Sequence, residues 1–190
     1  RLIGGHTSLL YHAFDLKAID CCKELFRLGA KISPGHPSGQ TPLHVAARTD
    51  MPKLLGLAIK HAKDIDIKTE SGYTPLVAAA QSGMQQNIET LVRHGANIET
   101  NDHNGRTPLS IAISCRKTDA VYKLIELNAN IHHKSSCNGY TPLHEVFLNC
   151  APIEIAEHLI SKGADVNALG QDNTTPLILA VMRNTLRGVK

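Results

Sequence analysis

Apolar residues recur at i, i+3 and i+4 in five short stretches of the chain. They are Cys22, Leu25, Phe26; Leu55, Ala58, Ile59; Ile88, Leu91, Val92; Val121, Leu124, Ile125; and Ala156, Leu159, Ile160. This spacing sets three side chains on one helical face and predicts five amphipathic helices. Between them lies a second helical signal. The tripeptide Thr-Pro-Leu begins at Thr41, Thr74, Thr107, Thr141 and Thr175, at intervals of 33, 33, 34 and 34 residues. Thr is a good N-cap, because its hydroxyl accepts from a free N–H of the first turn. Pro at the first helical position has a preset φ, and its missing N–H leaves nothing unsatisfied there. Leu43, Leu76, Leu109, Leu143 and Leu177 should then point inward, and the pairs Ala46-Ala47 and Ala79-Ala80 should let neighbouring helices approach closely.

A third signal keeps the same phase. Gly29-Ala30-Lys31-Ile32, Gly95-Ala96-Asn97-Ile98, Asn128-Ala129-Asn130-Ile131 and Gly163-Ala164-Asp165-Val166 follow the amphipathic stretches. The leading Gly or Asn suits the left-handed residue that ends a helix. Ala62 stands at that place once and predicts a different ending. Gly39, Gly72, Gly105 and Gly139 lie two residues before a Thr and predict a tight turn. Each period therefore reads helix, turn, helix, loop. One such unit cannot bury its own apolar faces, so the units must stack.

These residues resemble the ankyrin repeat, whose period is about 33 residues with a Thr-Pro-Leu-His-x-Ala core. Thr41-Pro42-Leu43-His44-Val45-Ala46-Ala47 matches that core fully. The resemblance implies an all-α solenoid of helix-turn-helix units with β-hairpin-like finger loops, elongated and slightly curved. It implies a single domain over residues 1–190. Its units fall at approximately 1–33 (degenerate), 34–66, 67–99, 100–132, 133–167 and 168–190 (truncated). In the first unit, Thr7-Ser8-Leu9-Leu10 takes the place of Thr-Pro-Leu-His. The family His, which ties neighbouring loops together, is kept only as His44 and His144; Val77, Ser110 and Ile178 replace it. The unit opened by Thr41 departs furthest elsewhere, with Asp50 for the inter-helix Gly, Gly56 inside the second helix and Lys63 for Ala. It is expected to be the least stable of the full units. One extra residue near Cys150-Ala151-Pro152 predicts a bulge between two helices.

Composition narrows the chemistry. The hydrophobic fraction is 42% with no Trp and only 4% aromatics, so the core must be aliphatic. The formal net charge of +3 is too small to argue for nucleic acid or an anionic membrane surface. The five Cys form no C-x-x-C pair, which predicts reduced thiols in an intracellular compartment, cytoplasmic or nuclear. No apolar run reaches membrane-spanning length. Arg1 at the start, in place of Met, suggests a fragment of a longer protein.

No phosphate-binding Gly loop, G-x-S-x-G or metal-ligand cluster is present in the sequence. Adjacent His132 and His133 lack the spacing of a zinc clamp. The expectation is a non-enzymatic, monomeric scaffold without cofactor or metal that binds a partner protein. The alternative is a regulatory or substrate-docking domain of a larger enzyme, ubiquitin-ligase receptor, channel or pathogen effector. The resemblance places the partner on the concave side, made of the fingers and the exposed side of each first helix. By phase, Tyr73, Arg106 and Tyr140 occupy one position in three successive units and should form a row. Tyr and Arg are enriched at binding hot spots. His103, Arg48, Gln81 and Leu148 extend the patch. Asn167, in Leu159, Asp165, Val166, Asn167, resembles the ankyrin Asn that an asparaginyl hydroxylase modifies, although the same residue is also the ordinary loop residue of the repeat.

Overall fold

A computed structural model describes residues 2–3 and 7–183. Its first element is a short antiparallel pair, β1 (Leu2–Ile3) and β2 (Thr7–Ser8), with Ile3 opposite Thr7. Helices follow in pairs: α1 (Leu9–Asp15) with α2 (Ile19–Arg27), α3 (Pro42–Ala47) with α4 (Pro52–His61), and α5 (Pro75–Ser82) with α6 (Gln85–Arg93). Then come α7 (Pro108–Ser114) with α8 (Thr118–Glu126), α9 (Pro142–Leu148) with α10 (Ile153–Ser161), and α11 (Pro176–Met182). The first helices pack in a row, α1 on α3, α3 on α5, and so on to α11. The second helices form a parallel row behind them. The fold is the expected all-α solenoid.

The local signals act as read. Each Thr of Thr-Pro-Leu is an extended N-cap with Pro next. At Thr41 and Thr141 the following His closes a capping box, its ring accepting from the cap's own N–H. Leu43, Leu76, Leu109 and Leu143 are buried, a burial that contributes about 1.5–3 kcal/mol for each Leu. Leu177 departs from this expectation: it is 64% exposed, because no described helix packs beyond α11. Ile160 is exposed at the same end. The four finger glycines have positive φ, and so do Gly95 and Asn128 after the second helices; Ala62 stays extended.

The phase of the first unit needs correction. Ser8, not Thr7, caps α1, through a bond from the Tyr11 N–H to its Oγ. Ser8 lies 33 residues before Thr41, so Tyr11 stands where the family has His. Thr7 belongs to β2 instead. The bulge near Cys150 falls as expected: Cys150 has φ 49°, and Pro152 is an added N-cap before α10. A second insertion escaped the sequence reading. The finger turn from Ser135 to Gly139 holds one residue more than that from Asp102 to Gly105, and its closing bond spans four residues rather than three. The end of the unit opened by Thr175 lies outside the described residues.

The fingers are joined sideways. Backbone N–H groups of Glu70, His103 and Gln171 donate to carbonyls of Ser38, Ser71 and Asn138 on the preceding finger. Lys68 and Lys134 donate from their side chains to Asn101 and Leu169 on the next loop.

Candidate functional site

The two retained His residues work as ties. His44 Nε2 reaches the Tyr73 carbonyl at 2.9 Å, and His144 Nε2 reaches the Thr174 carbonyl at 3.0 Å. Burial holds both imidazoles below their ordinary pKa, so each is neutral at pH 7 and donates a single ring N–H. Tyr11 makes a longer-armed version of the tie, donating from its hydroxyl to Gln40 Oε1 at 3.1 Å. Where Val77 and Ser110 replace His, the joint rests on the fingers: the His133 Nε2 meets the Gly105 carbonyl at 2.9 Å. His133 is thus a structural strut, and His132 is exposed beside it.

With its carbonyl clamped, Tyr73 is free to direct its side chain along the finger face. Its hydroxyl accepts from Arg106 Nη2 at 3.1 Å, so the first two members of the row touch. Arg106 is not a free cation. Its Nε and Nη2 both donate to Asp102 Oδ2, at 3.0 and 2.8 Å. Asp102 is buried, and its Oδ1 also accepts the N–H groups of Asn104 and Arg106, which closes the finger turn. Partial burial opposes the Arg106 charge, but Asp102 more than offsets it and holds the guanidinium above its ordinary range. Asp102 carried one sequence signal, Thr69, which stands 33 residues earlier and accepts the Tyr73 N–H in the same way.

Tyr140 takes a different posture. Its ring stacks on His144 at 5.0 Å between centroids, nearly parallel. It also lies against Gly170 of the next finger, where an added Cβ would come within 2.6 Å of the ring. Tyr140 therefore packs forward and is half-buried, whereas Tyr73 bonds forward to Arg106. His103 is exposed, with its ring over Gly72, beside Tyr73.

Arg48 and Gln81 end the first helices of two successive units and line one small cleft with Gln40 and Tyr73. Leu148 ends α9 half-buried, two units beyond Gln81. Asn167 is exposed in the loop after α10, and its N–H donates to Asp165. The face also holds a buried carboxylate that was not foreseen. Glu145, 5% exposed on α9, accepts from Asn149 Nδ2 at 2.8 Å. Burial raises its pKa, against the opposing pull of Asn149 and Arg106.

Nothing else among the described residues gathers reactive groups. Among the described residues, no three His, Cys, Asp or Glu stand together as a metal site, and no helix is long and apolar enough to cross a membrane. The five cysteines are unpaired; burial pushes the Cys22 thiol up to about 11. No match was found among curated proteins. The profile of ankyrin repeats, three copies long, matches residues 9–102, 52–135, 88–169 and 117–190, which together cover nearly the whole chain. The chain belongs to the ankyrin-repeat family, whose arrays are generally protein–protein interaction modules.

Proposed function

We propose that the chain is a non-catalytic scaffold that binds a partner protein on its finger face. Tyr73, Arg106 and Tyr140 form the centre, with His103, Arg48, Gln81 and Leu148 around them. One observation supports this reading above the rest. The Tyr73 carbonyl is fixed by His44, while its hydroxyl is held by an Arg106 that is itself locked to buried Asp102. Rigid Tyr and Arg side chains lose little freedom on binding, which favours affinity.

The test is a quantitative pull-down from cell lysate, read by mass spectrometry. It compares the native chain with the triple variant Tyr73→Ala, Arg106→Gln, Tyr140→Ala, after matching their helicity. Gln is chosen at 106 because Glu would set a second carboxylate against buried Asp102. A protein captured by the native chain and lost from the variant is the expected result. The same proteins captured by both would overturn the finger-face reading.

A further inference from the structure

The cleft between the second and third units is built for one kind of guest. It has a volume of about 50 Å³, far below the roughly 300–1,000 Å³ of a small-molecule pocket, and is the size of a single side-chain head group. Gln40, His44, Arg48, Tyr73 and Gln81 line it, and no carboxylate does.

The hydrogen-bond inventory of these residues is lopsided. Gln40 Oε1 already accepts from Tyr11 and Arg48, which leaves its amide N–H₂ without a protein acceptor among the described residues. The Tyr73 hydroxyl accepts from Arg106 and keeps its own proton to give. Arg48 spends one N–H on Asp15 at 3.1 Å and one on Gln40 at 3.4 Å, out of five. Gln81 is exposed and its amide is unengaged among the described residues. His44 presents no open acceptor, since Nδ1 faces Thr41 and Nε2 faces the Tyr73 carbonyl. The cleft thus offers more unspent donors than acceptors, the latter being the Gln81 amide oxygen and the Ser82 hydroxyl, and one positive charge. Asp15 pairs with Arg48 across an exposed and weak contact, so a guest carboxylate would share the guanidinium with it.

We infer that this cleft receives a carboxylate side chain, an Asp or Glu, from the partner protein. The assignment rests on the finger-face reading and adds to it the chemistry of one anchor residue. The carboxylate would accept from Arg48 and from the amide of Gln40, which lies beside it, a charge-assisted arrangement stronger than neutral hydrogen bonds.

The experiment uses the full chain and a displayed library of random peptides, selected in parallel on the native chain, Arg48→Gln and Arg48→Glu. Circular dichroism first checks that all three are equally helical. The native chain should select an acidic residue at one fixed position. A synthetic peptide from that pool should bind Arg48→Gln about tenfold or more weakly, and replacing its acidic residue by the amide should add no further loss in that variant. Arg48→Glu should select a basic residue instead. Three results would overturn the assignment: no acidic preference, no Arg48-dependent binder, or equal affinity for Arg48→Gln. Binding that ignores Arg48 but is lost on Tyr140→Ala would overturn the carboxylate and leave the finger face standing. Binding indifferent to every finger-face variant would overturn both.

Discussion

The unit opened by Thr41 and the unit opened by Thr74 are regular in opposite places. The first has the complete family core, with His44 closing its capping box and tying the next finger. Its remainder is irregular: Asp50 lacks the left-handed conformation of Gly83, Gly56 sits inside an otherwise continuous α4, and Ala62 leaves the helix in an extended conformation. The second unit has Val77 for His and a simple Thr74 cap, yet both its helices end in left-handed glycines, Gly83 and Gly95. A perfect motif therefore does not make a regular unit.

The regular unit repairs its neighbour. Buried Asn87 on α6 donates to the carbonyls of Ala47 at 2.9 Å and Thr49 at 2.7 Å, at the end of α3. Stability in this array passes between units, as nearest-neighbour stacking requires.

Breaking that repair should have the largest effect. Asn87→Ala takes the donor from the buried Ala47 carbonyl and the half-buried Thr49 carbonyl and should cost about 2–3 kcal/mol in urea unfolding. Amide exchange should speed up in α3 before it does in α5; a loss confined to α6 would show that the bond does not couple the units.

His44→Ala should cost about 1–2 kcal/mol, by loss of the tie to the Tyr73 carbonyl. It should also change the pH response. The folded pKa of His44 lies below its ordinary 6.5, so the unfolded chain binds more protons as pH falls. The tie's contribution is full above about 6.5 and declines below it, toward the lowered folded value. His144 acts in the same direction. Glu145 acts in the opposite sense, since its folded pKa is raised: its contribution is full below its ordinary 4.5 and is lost as pH rises through the folded value. Thermal unfolding between pH 5 and pH 7.5 should show a smaller slope in His44→Ala than in the native chain. An unchanged slope would remove His44 as its source.

The smallest change sharpens the comparison from the other side. Gly56→Ala should stabilise by about 0.5–1 kcal/mol, because its Cβ would meet nothing within 4 Å and the helix interior favours Ala. Gly83→Ala, at φ 79°, should destabilise. Equal effects at the two sites would mean that α4 is not limited by its glycine.

The helices, caps and left-handed positions were legible because each depends on residues a few places apart. The slip at Ser8 and the insertion in the 135–139 finger were not. Thr7 carries the residue type of the repeated motif, and an added turn residue leaves the apolar period intact. At the site, the 33-residue interval made the contact of Tyr73 with Arg106 readable. The lock on Arg106 was hidden, because Asp102 looks like an ordinary loop acid until the turn folds around it. Asn87 and Glu145 were missed for a related reason: polar residues on a helix read as solvent-facing, and only the packing of adjacent units shows them buried.

The ties at His44 and His144 have a consequence for how such a surface changes over time. They grip the carbonyls of Tyr73 and Thr174, atoms that every amino acid shares. The two His bonds thus ask nothing of the side chains whose carbonyls they hold. Replacement of Tyr73, whose side chain reaches the surface while Thr174 is buried, would alter what the surface recognises while the joint holding the finger stays the same, so new specificities can arise at that place without passing through an unfolded ancestor.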